Sequence, residues 1–155
     1  ILAAQHGHHS VLDGFQVATK GNPYAHLVLR GGSGGPNYGV EHLMQADALF
    51  RKHKVKNPAI IVDASHDNSK VFGSKLPSQQ AMVAKEVLAL RKVNPEIRKL
   101  VKGFMIESFL KEGNQKLESL SKDTIDQKGL SITDACIGWE QTEKLIREMV
   151  KQIAL

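Results

Sequence analysis

Two rhythms of apolar residues alternate along the chain. Short unbroken apolar runs stop abruptly at glycines or polar residues: AHLVLRGG (25–32), PAIIVDASH (58–66) and LVKGFMIESFL (100–110). Between them lie longer stretches with apolar positions three or four apart. The first pattern suits a buried strand and the second an amphipathic helix. VEHLMQADALFRKH (40–53) carries Val40, Leu43, Met44, Ala48 and Leu49 at helical spacing. LPSQQAMVAKEVLALRKV (76–93) puts Met82, Val83, Val87 and Leu90 on one face, with Ser78 placed to cap it. After a long polar loop, KEGNQKLESLSKDTIDQKG (111–129), a last helix is predicted over WEQTEKLIREMVKQIA (139–154). Ahead of these units, SVLDGFQVATKGNP (10–23) has short apolar stretches on either side of Asp13-Gly14, a hairpin signal.

Strand–helix units in succession predict an α/β protein with a parallel sheet. Three such units cannot close a barrel of eight strands, so the pattern fits either part of a barrel or an open sheet. Residues 1–155 are read as a single, partial domain. Arg30, Asp63, His66 and Glu107 all fall at or just past the C-terminal end of a predicted strand. In both barrels and open parallel sheets that edge carries the chemistry.

Composition adds little to this outline. Of 155 residues, 41% are hydrophobic and 24% charged, as in an ordinary soluble domain with a real core. No apolar run approaches the roughly 18 residues of a membrane span, so no membrane role is expected. The formal net charge of +5 raises the question of nucleic acid. Lys and Arg are interleaved with acids, however, as in KVNPEIRKLVKG, and no aromatic run offers a stacking platform. Nucleic acid is therefore not an expected partner, whereas a small anionic substrate needs only a few placed cations. Cys136 is the single cysteine, which excludes an internal disulfide and suggests a reducing compartment. The N-terminal ILAAQHGHHS has neither the basic flank nor the apolar stretch of a signal peptide and no initiator Met. A piece of a longer chain is the expectation.

The candidate chemistry sits in the polar ends of the apolar runs. DASHDNS (63–69) offers Asp63, His66 and Asp67 together. His66 fits a metal ligand, a general base or a hydrogen-bonded loop histidine. Glu107 follows an apolar run directly, where a carboxylate needs a cation or hydrogen bonds. Asp134, in Ser-Ile-Thr-Asp ahead of the last helix, fits either a helix cap or a ligand. One histidine with two carboxylates is a reasonable set for Mn²⁺, Fe²⁺, Co²⁺ or Zn²⁺. Arg30 offers a forked donor for phosphate or carboxylate, and Gly31 and Gly32 let a ligand approach the backbone. GGSGG (31–35) is no Walker motif, because no Gly-Lys-Ser/Thr follows. Cys136, flanked by Ala135 and Ile137, reads as a buried, inert thiol.

GNPYAHLVLRGG with PNY, then IIVDASHDNS, GFMIESFLKEGNQ and GLSITDACIGWEQTEKLIREM, follow one another as in the class I 3-deoxy-D-arabino-heptulosonate 7-phosphate (DAHP) synthases, and the chain resembles that family over essentially its whole length. The resemblance implies a (β/α)₈ barrel, of which this chain supplies the C-terminal part, about the last three β/α units. The hairpin at Asp13-Gly14 would be a small insertion before them. It further implies one divalent metal held by His66, Glu107, Asp134 and a cysteine. The family's cysteine motif has no match here, and Cys136 is not its replacement. Asp63 and His66 fall on the catalytic positions and Arg30 on the phosphoenolpyruvate-binding arginine. The lysine- and arginine-rich phosphate motifs of the early strands have no match in this chain, and Ser33 stands where many relatives have a lysine. The implied reaction condenses phosphoenolpyruvate with erythrose 4-phosphate, with release of phosphate, at the entry to the shikimate pathway in the cytoplasm. The implied assembly is a homo-oligomer, or a pairing with the N-terminal portion. A noncatalytic half-barrel serving as an interaction or regulatory module is one alternative, and a different metal-dependent lyase or aldolase on the same architecture is the other.

Overall fold

A computed structural model describes residues 1–120 and 124–153. The polar loop expected over 111–129 passes through 121–123, and the last helix was expected to include Ala154; those residues lie outside the described ones. A short helix α1 (Leu2–Gln5) precedes strands β1 (His9–Leu12) and β2 (Phe15–Ala18), which pair antiparallel. Asp13 and Gly14 between them both have positive φ, 50° and 80°. That backbone matches the twist of a tight two-residue turn, and Asp-Gly tolerates it well.

Strands β3 (Leu27–Leu29), β4 (Ile60–Asp63) and β7 (Val101–Met105) form a parallel sheet with β4 in the centre. Helix α2 (Val40–Lys52) links β3 to β4, while α3 (Gln79–Val93) and α4 (Pro95–Leu100) link β4 to β7. Between β4 and α3 the chain makes a small hairpin, β5 (Lys70–Val71) with β6 (Ser74–Lys75). Helix α5 (Trp139–Ile153) ends the described chain. This order is the α/β architecture with a parallel sheet that the alternating rhythms predict.

Strand alternation divides the sheet into two faces. Ile60 and Val62 are fully buried against Leu43 and Phe50 of α2, Val83 and Val87 of α3, and Ile97 of α4. The other face carries Val28, Ile61 and Gly103 in register, with Asp63 at its C-terminal end. Helices therefore pack one face, and Asp63 projects from the opposite one.

The helices differ from expectation in detail. In α2 the buried positions are Leu43, Ala46, Asp47 and Phe50, whereas Val40, Ala48 and Leu49 are exposed. The apolar surface of α2 is wider than the face the sheet covers. Part of it lines an apolar cavity of about 580 Å³ with Ile1, Leu27, Leu29 and Phe50. In α3, Met82 is half exposed and Gln80, Ala84 and Leu88 join Val83 and Val87 inside. Ser78 stands at the N-terminus of α3 in helical conformation and makes no side-chain cap bond. Helix α4 is an addition to the expected elements. Asn94 Oδ1 accepts from the backbone N–H groups of Glu96 and Ile97, and Pro95 occupies the first helical turn, where its missing N–H costs nothing.

Leu43 is fully buried where α2 meets the sheet. Leu43→Ala in the complete protein is expected to cost about 2–5 kcal/mol, read from the denaturant midpoint. A loss under roughly 1 kcal/mol would mean that this core does not carry the fold.

Candidate metal centre

The site is built where β4 and β7 end. Asp63 is the last residue of β4 and only 1% exposed. Both its oxygens are used: Oδ1 accepts from Ser65 N–H at 2.9 Å, and Oδ2 lies 2.7 Å from His66 Nδ1. A carboxylate can only accept, so Nδ1 carries the proton and Nε2 faces the other way. His66 opens a short 3₁₀ turn (His66–Ser69) with φ of +44°, an uncommon conformation for a residue with a side chain. The bond to Asp63 and the turn that follows hold it there. Ser69 Oγ donates to His66 O at 2.9 Å.

Nε2 of His66 lies 3.4 Å from Glu107 Oε1 and 3.9 Å from Asp134 Oδ2. One donor atom from each of His66, Glu107 and Asp134 falls within 4.8 Å of the others. Three lone-pair-bearing atoms thus converge, and a cation between them satisfies all three. A divalent ion fits the chemistry of this donor set, and the Asp63–His66 bond is the outer contact that metal-ligating histidines use to fix their orientation.

Glu107 lies two residues past β7 and is held from two sides. Ser65 Oγ donates to Glu107 Oε2 at 2.8 Å, leaving Oε1 toward His66. Gln80, fully buried at the start of α3, accepts from Glu107 N–H at 2.8 Å and donates to Glu107 O at 3.0 Å. Its side-chain amide stands in for a neighbouring strand. Asp134 arrives from the loop before α5, and the helix starts at Trp139, so Asp134 does not cap it. That loop lies along 107–115: Ile137 N–H donates to Glu107 O, and Cys136 and Gly113 exchange backbone bonds.

Arg30 follows β3 directly and is exposed at the same edge. Its loop is sewn to the His66 loop. Asp67 N–H donates to Arg30 O at 3.1 Å. Gly31 N–H donates to Asn37 Oδ1, Asn37 N–H donates to Asn68 Oδ1, and Asn68 Nδ2 donates to the carbonyls of Leu29 and Asp63. Gly31 has φ of +76°, and a Cβ there would come within 2.7 Å of Asp67 Cβ, so only glycine fits. A hydrogen bond from Lys70 at 2.6 Å holds the Asp67 carboxyl below its usual range, helped by the charges of Lys75 and Arg30. Cys136 is half-buried, and burial pushes its thiol up.

The structure therefore brings His66, Glu107 and Asp134 together with Asp63 behind them, and sets Arg30 on the adjacent strand end. Ser65, Asn68, Gln80 and Lys75 are site residues that sequence patterns did not single out. Ser65 and Asn68 lie inside the DASHDNS run, so their proximity was visible though their roles were not. Gln80 and Lys75 carried no signal, because their contacts depend on how distant segments pack.

A parallel α/β sheet with a histidine–carboxylate cluster at its C-terminal edge defines the class of protein. The sequence profile of the DAHP synthetase I family matches residues 1–147, and the chain belongs to this family. Among its relatives, a Tyr-sensitive phospho-2-dehydro-3-deoxyheptonate aldolase of Enterobacter agglomerans is 41% identical over 133 residues, covering 86% of this chain and 57% of that protein. The phospho-2-dehydro-3-deoxyheptonate aldolase of Haemophilus influenzae is 40% identical over 133 residues, 86% of this chain and 34% of its own. The solved structure of the phospho-2-dehydro-3-deoxyheptonate aldolase from Francisella tularensis SCHU S4 superposes with a TM-score of 0.80 at 31% identity, over 98% of this chain and 42% of that one. The chain spans only about a third to just over half the length of these relatives.

Gln80→Leu keeps the size of the side chain but leaves the Glu107 N–H without its partner, while the Glu107 carbonyl loses one of its two donors and keeps Ile137 N–H. The expected cost is about 1–3 kcal/mol in the complete protein, from the one N–H left unpaired. A denaturant midpoint equal to that of the parent protein would contradict the clamp.

Proposed function

We propose that the complete protein is a DAHP synthase and that residues 1–155 are the C-terminal part of its (β/α)₈ barrel, as one partial domain. In this reading the pair β1–β2 is the small insertion ahead of the last three β/α units. The observation that carries the function is the convergence of His66, Glu107 and Asp134 within 4.8 Å, in a chain of this family. The reaction joins phosphoenolpyruvate to erythrose 4-phosphate. Water is consumed, a carbon–carbon bond forms, and the C–O bond to phosphate breaks.

His66, Glu107 and Asp134 would hold one divalent ion, Mn²⁺, Fe²⁺, Co²⁺ or Zn²⁺ by donor type. Bound there, such an ion supplies Lewis acidity toward a carbonyl oxygen. Asp63 keeps the His66 ring turned with Nε2 toward the ion, and Ser65 keeps Glu107 Oε1 turned the same way. Arg30 offers its fork to the phosphate or carboxylate of phosphoenolpyruvate. Two anionic substrates repel each other, so fixed cations at this edge lower the cost of bringing them together. The remaining substrate contacts, and the further ligand, belong to the part of the complete protein outside residues 1–155. No helix among the described residues is long and apolar enough to cross a membrane, and a cytoplasmic place is proposed for the enzyme. The exposed Val11, Leu12 and Phe15 of the β1–β2 pair and the apolar cavity beside β3 favour pairing with the N-terminal portion or with a second copy.

The test is phosphate release by the complete protein. Release should require both substrates, fall to background after exhaustive chelation, and return with Mn²⁺. Asp63→Asn should weaken metal binding about 10–100-fold, and His66→Ala should abolish the activity that Mn²⁺ restores. Full activity in protein stripped of metal would overturn the reading. A binding module would keep its function in His66→Ala and Glu107→Ala.

A further inference from the structure

The β5–β6 hairpin carries a cation that the proposed chemistry does not use. Lys75 Nζ donates to Asp134 Oδ2 at 3.0 Å, and that same oxygen faces His66 Nε2 at 3.9 Å. Lys75 is thus bonded to one of the three converging ligands.

The hairpin aims the lysine there. Its turn, Phe72–Gly73, has positive φ at both residues, 49° and 83°. Phe72 is fully exposed at the tip of this turn. Lys70 and Lys75 are direct cross-strand partners. Like charges so placed repel. Each has its own carboxylate: Lys70 reaches Asp67 at 2.6 Å and Lys75 reaches Asp134. These carboxylates offset the repulsion between the two lysines.

We infer that Lys75 is the resident counter-cation of the metal centre, competing with the divalent ion for Asp134 and thereby setting the centre's affinity for metal. The inference rests on the metal reading above. An ion held by His66, Glu107 and Asp134 puts two positive charges within a few ångströms of the Lys75 ammonium. Either the lysine withdraws from Asp134 or the repulsion remains, and both weaken ion binding.

The test is calorimetric titration of Mn²⁺ into the complete protein stripped of metal. Lys75→Gln should tighten binding on the order of tenfold, because one competing charge is gone, and Lys75→Arg should stay within about twofold of the parent, because the charge remains. Melting supplies a second readout. Stripped Lys75→Gln protein should melt below the parent, and saturating Mn²⁺ should close the gap, whereas a merely structural lysine would leave the same gap in both states. Parent protein that binds Mn²⁺, and loses it in Glu107→Ala, upholds the metal reading. Unchanged or weaker binding in Lys75→Gln would then overturn the counter-cation alone. Parent protein that takes up no ion overturns both.

Discussion

The bond between Asp63 and His66 is the constraint on which the rest of the site depends. Asp63 is buried at the last position of the central strand, on the sheet face that the helices leave uncovered. A charge there needs partners, and it finds two in the next three residues, Ser65 N–H and His66 Nδ1. Satisfying Asp63 forces the chain into the tight turn that gives His66 its positive φ. The same turn points Nε2 toward the end of β7. One electrostatic requirement in the core of the sheet therefore sets the aim of the histidine.

The other residues of the cluster are placed by devices of the same kind, polar side chains and backbone bonds acting on backbone. Gln80 clamps Glu107 from α3, Asn68 ties the ends of β3 and β4, and backbone bonds run from the loop of Asp134 to the segment after β7. Parallel strands end without a hairpin to order the chain beyond them. Side-chain amides do that ordering here, and they are satisfied at both ends, which makes them rigid rather than costly. Lys75 enters from a hairpin on the rim. Its partner carboxylate is exposed enough to exchange it, in contrast to buried Asp63.

Much of this was legible along the chain. The apolar runs stop so sharply that the ends of β3, β4 and β7 were visible, and with them the common edge of Arg30, Asp63, His66 and Glu107. Helix faces were less legible. Leu49 and Met82 fit a helical stripe yet lie outside the packed face, since periodicity gives an apolar arc and not what covers it. Helix α4 was hidden because six residues hold too few turns to show a period, although Asn94-Pro95 was its start signal. Asp134 reads along the chain as either a cap or a ligand, and the start of α5 at Trp139 excludes the cap. Gln80 and Lys75 belong to no local pattern at all.

Diffraction from crystals of the complete protein grown with Mn²⁺, recorded at the manganese absorption edge, tests the central claim most directly. The expected result is one anomalous peak bonded to His66 Nε2 with Glu107 and Asp134 as oxygen ligands, at distances of roughly 2.0–2.3 Å, and Asp63 still bonded to Nδ1. A peak elsewhere, or a His66 ring turned away from Asp63 with the ion bound, would contradict it.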